Sequence, residues 1–153
     1  MLAAMTRRGR WSHEDGAELI EFALVLPMML LVMFGIIDFG LLFQRYLVVT
    51  NAAREGARVA VLPGYTDADV QARVAQYLTA AGLTEAAPPP TIEQSVACAG
   101  GQSISVERVT VQYPYSYSVV GTLVGYFGGT QFTSTGLRAV AAMRSEFAAG
   151  GGC

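Results

Sequence analysis

The sequence predicts an α+β protein in which a single N-terminal membrane-spanning helix continues as a long helix and carries a small antiparallel sheet. Three observations predict this class. Residues 22–37 are uncharged and mostly apolar. Apolar and small residues then recur at helical spacing, and in the distal part they alternate with a period of two, as in strands. We expect a leader at 1–16, the long helix at 17–62 and an α+β domain at 63–153.

Composition and charge narrow the class of protein. The 153 residues are 52% hydrophobic and 14% charged, and the apolar excess lies in residues 19–43. A soluble domain typically has about 25% charged residues. The net charge is −2, which provides no basic surface for nucleic acid. The composition therefore indicates an anchored domain without a nucleic-acid partner.

Residues 22–43 form the expected membrane span, and Asp38 is their only charge. A helix of this length measures about 33 Å at ~1.5 Å per residue, enough to cross a hydrocarbon core of ~30 Å. Secretory signals have a shorter apolar run, so anchoring is favoured over secretion. Three arginines precede the span, namely Arg7, Arg8 and Arg10. This excess of positive charge favours a cytoplasmic N-terminus and an extracytoplasmic distal domain.

The helix is expected to run from about Ala17 to Leu62, with Pro63 and Gly64 as its stop signals. The alternative is two helices with a break at the membrane surface. Small residues on one face of the distal half allow another element to approach closely; they are Ala52, Ala53, Gly56, Ala57 and Ala60.

A second helix is expected after Thr66, because Asp69 follows this capping hydroxyl by three residues. Its apolar stripe comprises Val70, Val74, Leu78 and Ala81. Gly82 is a typical residue for a helix C-terminus. An extended linker follows at 86–90, where three prolines stand together.

A change in alternation complicates the strand prediction. Ile104 and Val106 occupy even-numbered positions, whereas the next apolar residues occupy odd-numbered ones: Val109, Val111 and Tyr113. This change predicts a bulge or a tight turn at Glu107-Arg108. Pro114 is expected to end the strand.

The remaining segments are less regular. Three alternating tyrosines predict an aromatic edge: Tyr113, Tyr115 and Tyr117. The glycines in 121–129 predict a loop. Residues 137–147 are expected to close the sheet as a strand, with a short helix as the alternative.

Two carboxylates stand at functionally suggestive places. A charge within or beside a membrane span is costly and marks a candidate functional residue. Glu21 directly precedes the apolar run, and Gly16 lies five residues earlier, where a peptidase could cut. Asp38 either faces a partner helix or marks the outer boundary between membrane and water.

No pattern of residues indicates catalysis. His13 is the only histidine, and the two cysteines, Cys98 and Cys153, do not form a zinc motif. We expect no enzyme activity, no catalytic residue, no metal, no cofactor and no small-molecule substrate. Outside the cytoplasm the cysteines are expected to form one disulfide, the alternative being two free thiols.

The N-terminal sequence resembles that of TadE-like pseudopilins (the TadE/TadG family), which are small envelope proteins of tight-adherence (Flp, type IVb) pilus systems. The segments that carry the resemblance are 16–27, 34–40 and 51–58, and more loosely 113–115 and 143–146. Phe22 stands where pilin subunits often have Tyr, which fits the TadE-like branch better than the major pilin.

The resemblance implies that a prepilin peptidase cleaves after Gly16, making Ala17 the first and Glu21 the fifth residue of the mature chain. It also implies a pilin-like helix and an accessory (minor) pseudopilin of the bacterial inner membrane. The implied partners are the prepilin peptidase, other pilin or pseudopilin subunits and the Tad assembly platform. The alternatives are an uncleaved single-pass envelope scaffold, and an anchored protein that binds a ligand or surface through 113–117.

Glu21 has two interpretations. Cleavage would leave an ammonium group on Ala17, one helical turn away. The carboxylate would then pair with this amine or with that of a neighbouring subunit, which lowers the cost of holding it in apolar surroundings. Otherwise Glu18 and Glu21 only complement the positive end of a helix. The resemblance favours pairing.

Overall fold

The computed structural model describes residues 13–99, 102–126 and 134–145. Its elements are α1 (His13–Ala60), α2 (Asp67–Ala80), β1 (Thr91–Ala99), β2 (Gln102–Ser116), α3 (Val120–Tyr126) and β3 (Ser134–Ser145). The strands form one antiparallel sheet in the order β1-β2-β3. The predicted α+β class, a long N-terminal helix with a small antiparallel sheet, is confirmed.

Helix α1 is one unbroken helix of 48 residues that continues through Pro27. At ~1.5 Å per residue it is about 72 Å long. This confirms a single helix over the alternative with a break. After Ala60 the chain turns: the Leu62 N–H donates to the Val59 carbonyl at 3.0 Å, and Gly64 adopts a φ of +84°. That conformation is open to glycine at little cost, so Gly64 supports the turn away from the helix.

Helix α2 begins with the expected capping box. The Asp69 amide donates to the Thr66 hydroxyl at 3.4 Å, and the Asp69 carboxylate accepts from the Thr66 amide at 2.8 Å. The buried stripe is Val70, Val74 and Leu78. Ala81 was expected in this stripe, but it is exposed because it caps the C-terminus.

The small residues of α1 bring α2 and the sheet close to the helix, as predicted. Ala52, Ala53 and Ala57 are fully buried. A Cβ atom placed on Gly56 would lie 2.7 Å from Val74 Cγ2 and 3.2 Å from Val109 Cγ1. The first contact is too short for a real Cβ atom, so any side chain at position 56 would force the neighbouring layers to shift.

Strand β2 corrects the prediction of a bulge or turn at Glu107-Arg108. Its register is constant with β1, from Thr91↔Thr110 to Ala99↔Gln102. The odd-numbered residues of β2 face inward throughout, including the buried Glu107. The Glu107 carboxylate accepts a 2.7 Å hydrogen bond from Gln94 Nε2. The apparent change of parity arose because polar side chains occupy inward positions, not because the strand bends.

Pro114 does not end β2, contrary to expectation; it pairs with Gly136 and the strand continues to Ser116. Beyond Thr110, β2 is paired on one side only. Proline is tolerated in a strand where its missing N–H faces an unpaired side.

The ends of the sheet hold further differences. Strand β1 was not predicted, and α3 replaces part of the expected loop at 121–129. Strand β3 confirms the predicted closing strand. Its inward residues are Leu137, Ala139 and Ala141. Tyr113 and Tyr115 lie where β2 is paired on one side only, as the predicted aromatic edge requires, but their side chains are buried in the core between the sheet and the helices.

Candidate functional site

Helix α1 exposes large apolar side chains all around its axis between residues 19 and 43. Those more than half exposed are Leu19, Ile20, Phe22, Leu24, Met28, Met29, Leu31, Val32, Ile36, Phe39 and Phe43. Among the described residues, α1 is the one helix that is both long enough and apolar enough to cross a membrane. A surface this apolar is stable only when lipid or another protein covers it.

The predicted cleavage residues lie at the entrance to this segment. Gly16 and Ala17 lie in the first turns of α1 and are exposed. A Cβ atom on Gly16 would meet no atom within 4 Å. Glu21 is also exposed, and its spacing of four residues from Ala17 places both on one face of the helix.

Asp38 joins α1 to the domain. Its carboxylate is buried and accepts hydrogen bonds from two backbone amides, at 3.1 Å from Val119 and 2.7 Å from Val120. These amides open α3, and the first N–H groups of a helix have no intrahelical partner. The Asp38 side chain on one helix therefore caps the start of another.

Tyr115 strengthens this junction. Its hydroxyl donates to the Asp38 backbone carbonyl at 3.2 Å. The Arg45 guanidinium lies 5.3 Å from the centre of the Tyr115 ring, a cation–π distance, and Tyr117 meets the same ring edge-on at 5.2 Å. Burial, and secondarily the negative charge of Asp38, raise the pKa of the Tyr115 hydroxyl.

The Asp38 contacts add a role that the sequence did not predict, because residues of its own chain enclose the carboxylate. Its position at the outer boundary between membrane and water stays a prediction. Sequence reasoning missed this role because the partners are backbone amides far along the chain. One signal was present: Asp38 shares a helix face with Ala52 and Gly56, the residues already assigned to the domain.

Other predicted sites have mixed outcomes. Within 113–117, the segment of the ligand-binding alternative, Tyr113 and Tyr115 are each only 1% exposed, whereas Tyr117 is half-buried and Pro114 and Ser116 are exposed. Cys98 lies in β1. Cys153 lies outside the described residues, as does most of the leader, so the disulfide and the leader remain predictions.

The geometry defines a class of protein: a single apolar helix, open on all sides at its start, with a small α+β domain fixed to its distal half. The family model for TadE-like proteins matches residues 16–58. This match confirms the resemblance for the N-terminal segment and suggests a role in Tad pilus assembly. No curated protein and no solved structure matches the chain.

Proposed function

We propose that this chain is an accessory (minor) pseudopilin of a Tad pilus system, matured by a prepilin peptidase that cleaves between Gly16 and Ala17. The observation that carries the proposal is the position of the Gly16–Glu21 segment, at the mouth of an exposed apolar helix and inside the stretch that matches TadE-like proteins.

The helical setting of the cleavage site is compatible with proteolysis. Gly16 lies in α1 and is exposed. The absence of atoms within 4 Å of a Gly16 Cβ means that the bond is accessible from that side.

Glu21 has a role after cleavage in this proposal. The new Ala17 amine has a reference pKa near ~8, so it is largely charged at neutral pH. Glu21 then pairs with it, or with the same amine of a neighbouring subunit. Pairing between subunits would fix the axial register of two helices, because it is satisfied at only one offset.

The inner membrane, the prepilin peptidase, other pilin or pseudopilin subunits and the Tad assembly platform are the proposed partners. The apolar helix serves first as the anchor, with an N-terminus in the cytoplasm and the domain outside it. During assembly, helices of other subunits replace lipid on the same surface.

Intact-mass measurement tests the cleavage. The chain is co-expressed with a prepilin peptidase, and loss of residues 1–16 is the expected result. Gly16→Leu is the informative variant, because its side chain meets open space in the fold. Retention of the leader in this variant alone supports recognition of Gly16. An uncleaved wild-type chain beside an active peptidase contradicts maturation and favours the uncleaved scaffold.

Pilus output tests Glu21. Glu21→Ala is expected to leave cleavage intact and to impair assembly. Glu18→Ala is the matched control, since it removes an exposed carboxylate one turn away without touching the proposed pair. Normal pilus output from Glu21→Ala would remove the pairing hypothesis.

A further inference from the structure

We infer that the bilayer covers α1 unequally: on the side facing the domain the lipid contact ends at Asp38, whereas on the opposite side it continues past Phe43. The interaction surface is the lipid-side face, defined as Ile36, Phe39, Phe43 and Leu47. This inference rests on the membrane anchoring in the proposed function and extends it to the junction between the span and the domain.

The two sides of the helix differ in what covers them. Asp38, Arg45 and Val49 follow the heptad-like spacing of one face, and all three contact or are buried against the domain. The lipid-side face is turned away from the domain. Its four members are between 57% and 70% exposed.

The distribution of charge follows the same division. Between Phe22 and Ala53 the only charged residues are Asp38 and Arg45. Asp38 is 1% exposed beneath α3, and Arg45 lies over the Tyr115 ring. Both charges are therefore held on the domain side. The lipid-side face remains uncharged until Arg54, so nothing on it resists contact with hydrocarbon.

The first polar groups above Leu47 mark the end of this face. The Thr50 hydroxyl donates to the Tyr46 carbonyl at 2.8 Å, so it is already satisfied within the helix. Asn51 is exposed and is the first side chain there that requires water. Tyr46 is 43% exposed just below it, at a level suited to an interfacial aromatic side chain.

The lengths agree with a tilted helix. From Phe22 to Asp38 the helix rises about 24 Å, less than the ~30 Å of a hydrocarbon core, and the domain covers that side from Asp38 onward. Phe43 lies about 7.5 Å further along a helix about 10 Å wide. A tilt of about 40°, at the upper end of the range for membrane helices, brings that side of Phe43 to the depth of Asp38. Large exposed apolar side chains continue from the span to Leu47, with the exposed Gln44 at the edge of this face, and this continuation of the anchor surface favours lipid over a separate protein partner.

Single-tryptophan quenching tests the inference in the full chain. Trp11 is the only tryptophan and is replaced by Phe. Met29→Trp, Phe43→Trp and Asn51→Trp are then placed, one at a time, in nanodiscs of phosphatidylcholine and phosphatidylglycerol with one copy per disc. Dibrominated acyl chains report lipid contact, and aqueous iodide reports water contact. All three sites are exposed, so the substitutions leave the core unchanged.

The expected result is strong lipid quenching and blue-shifted emission at positions 29 and 43, with iodide quenching alone at position 51. Lipid quenching at 29 but iodide quenching at 43 would overturn the inference and leave the membrane anchor intact. Absence of lipid quenching at 29 would instead contradict the anchoring itself. A third outcome also overturns the inference: iodide quenching at position 43 in discs with one copy, and neither kind of quenching in discs with two copies. In that case a second chain, not lipid, covers the face.

Discussion

The Val120 amide donates a 2.7 Å hydrogen bond to the Asp38 carboxylate across 82 residues of chain. This bond fixes the start of α3 to the middle of α1. Because the Asp38 side chain is buried, its charge is balanced by backbone dipoles rather than by water.

Asp38→Ala is expected to loosen this junction. Two amides lose their acceptor, and an unsatisfied buried donor costs about 1–3 kcal/mol. Faster hydrogen exchange at the amides of Val119 and Val120 in the full chain is the measurement. Asp38→Asn is the matched control, since it keeps one acceptor oxygen and should lie between Ala and wild type. Equal protection in all three proteins would contradict the capping role.

Tyr115→Phe tests the second half of the junction. It removes the hydroxyl that donates to the Asp38 carbonyl at 3.2 Å and leaves the ring in place under Arg45. A loss of about 0.5–1.5 kcal/mol in the free energy of unfolding is expected, typical of one hydrogen bond. Thermal unfolding in detergent micelles measures it. Tyr117→Phe controls for removal of a hydroxyl from the neighbouring ring; if both variants unfold alike, the Asp38 bond contributes nothing specific.

Much of this architecture follows from local chemistry. The capping box at Thr66 and the small face of α1 rest on short-range rules, and sequence alone predicted both correctly. The path of β2 was predicted wrongly because a buried Glu107 paired with Gln94 cannot be distinguished from an exposed one by alternation. The junction at Asp38 depends on tertiary contact between distant segments; the helix face that Asp38 shares with Ala52 and Gly56 indicated the side of the domain but not the backbone amides that it binds.

The close contact at Gly56 predicts a large effect from a small change. Gly56→Ala places a Cβ atom 2.7 Å from Val74 Cγ2, so α2 must shift. Overpacking of this kind typically costs about 1–3 kcal/mol. Gly40→Ala is the matched control, because its Cβ meets no atom within 4 Å. The unfolding temperature of the domain should fall for Gly56→Ala and not for Gly40→Ala. An equal fall in both variants would contradict a packing origin.

The proposed disulfide is tested by mass. Intact, non-reduced protein recovered from the cell envelope should weigh two hydrogens less than the reduced chain, as one Cys98–Cys153 bond requires. Alkylation without prior reduction should add no mass, because disulfide-bonded cysteines are not modified. Double alkylation without reductant would show that the bond does not form.

The ion pair between α1 and α2 predicts a dependence on pH. Arg73 donates to the Glu55 carboxylate at 2.6 Å, and this hydrogen bond, with the charges of Arg73 and Arg58, holds the pKa of Glu55 below its ordinary value of 4.5. A lowered pKa in the folded state means that the pair stabilises the fold above about pH 4.5 and that this contribution is lost as the pH falls through the folded-state pKa.

Glu55→Gln should therefore be less stable than wild type at neutral pH, and the difference should vanish in acid. Both side chains are partly exposed, so the effect is expected to stay below about 1 kcal/mol and to shrink with salt. Thermal unfolding across a pH series measures it. Glu93→Gln is the control, because it removes an exposed carboxylate from β1 instead. A stability difference for Glu55→Gln that persists at low pH would show that the glutamine perturbs the helix contact itself, not the charge pair.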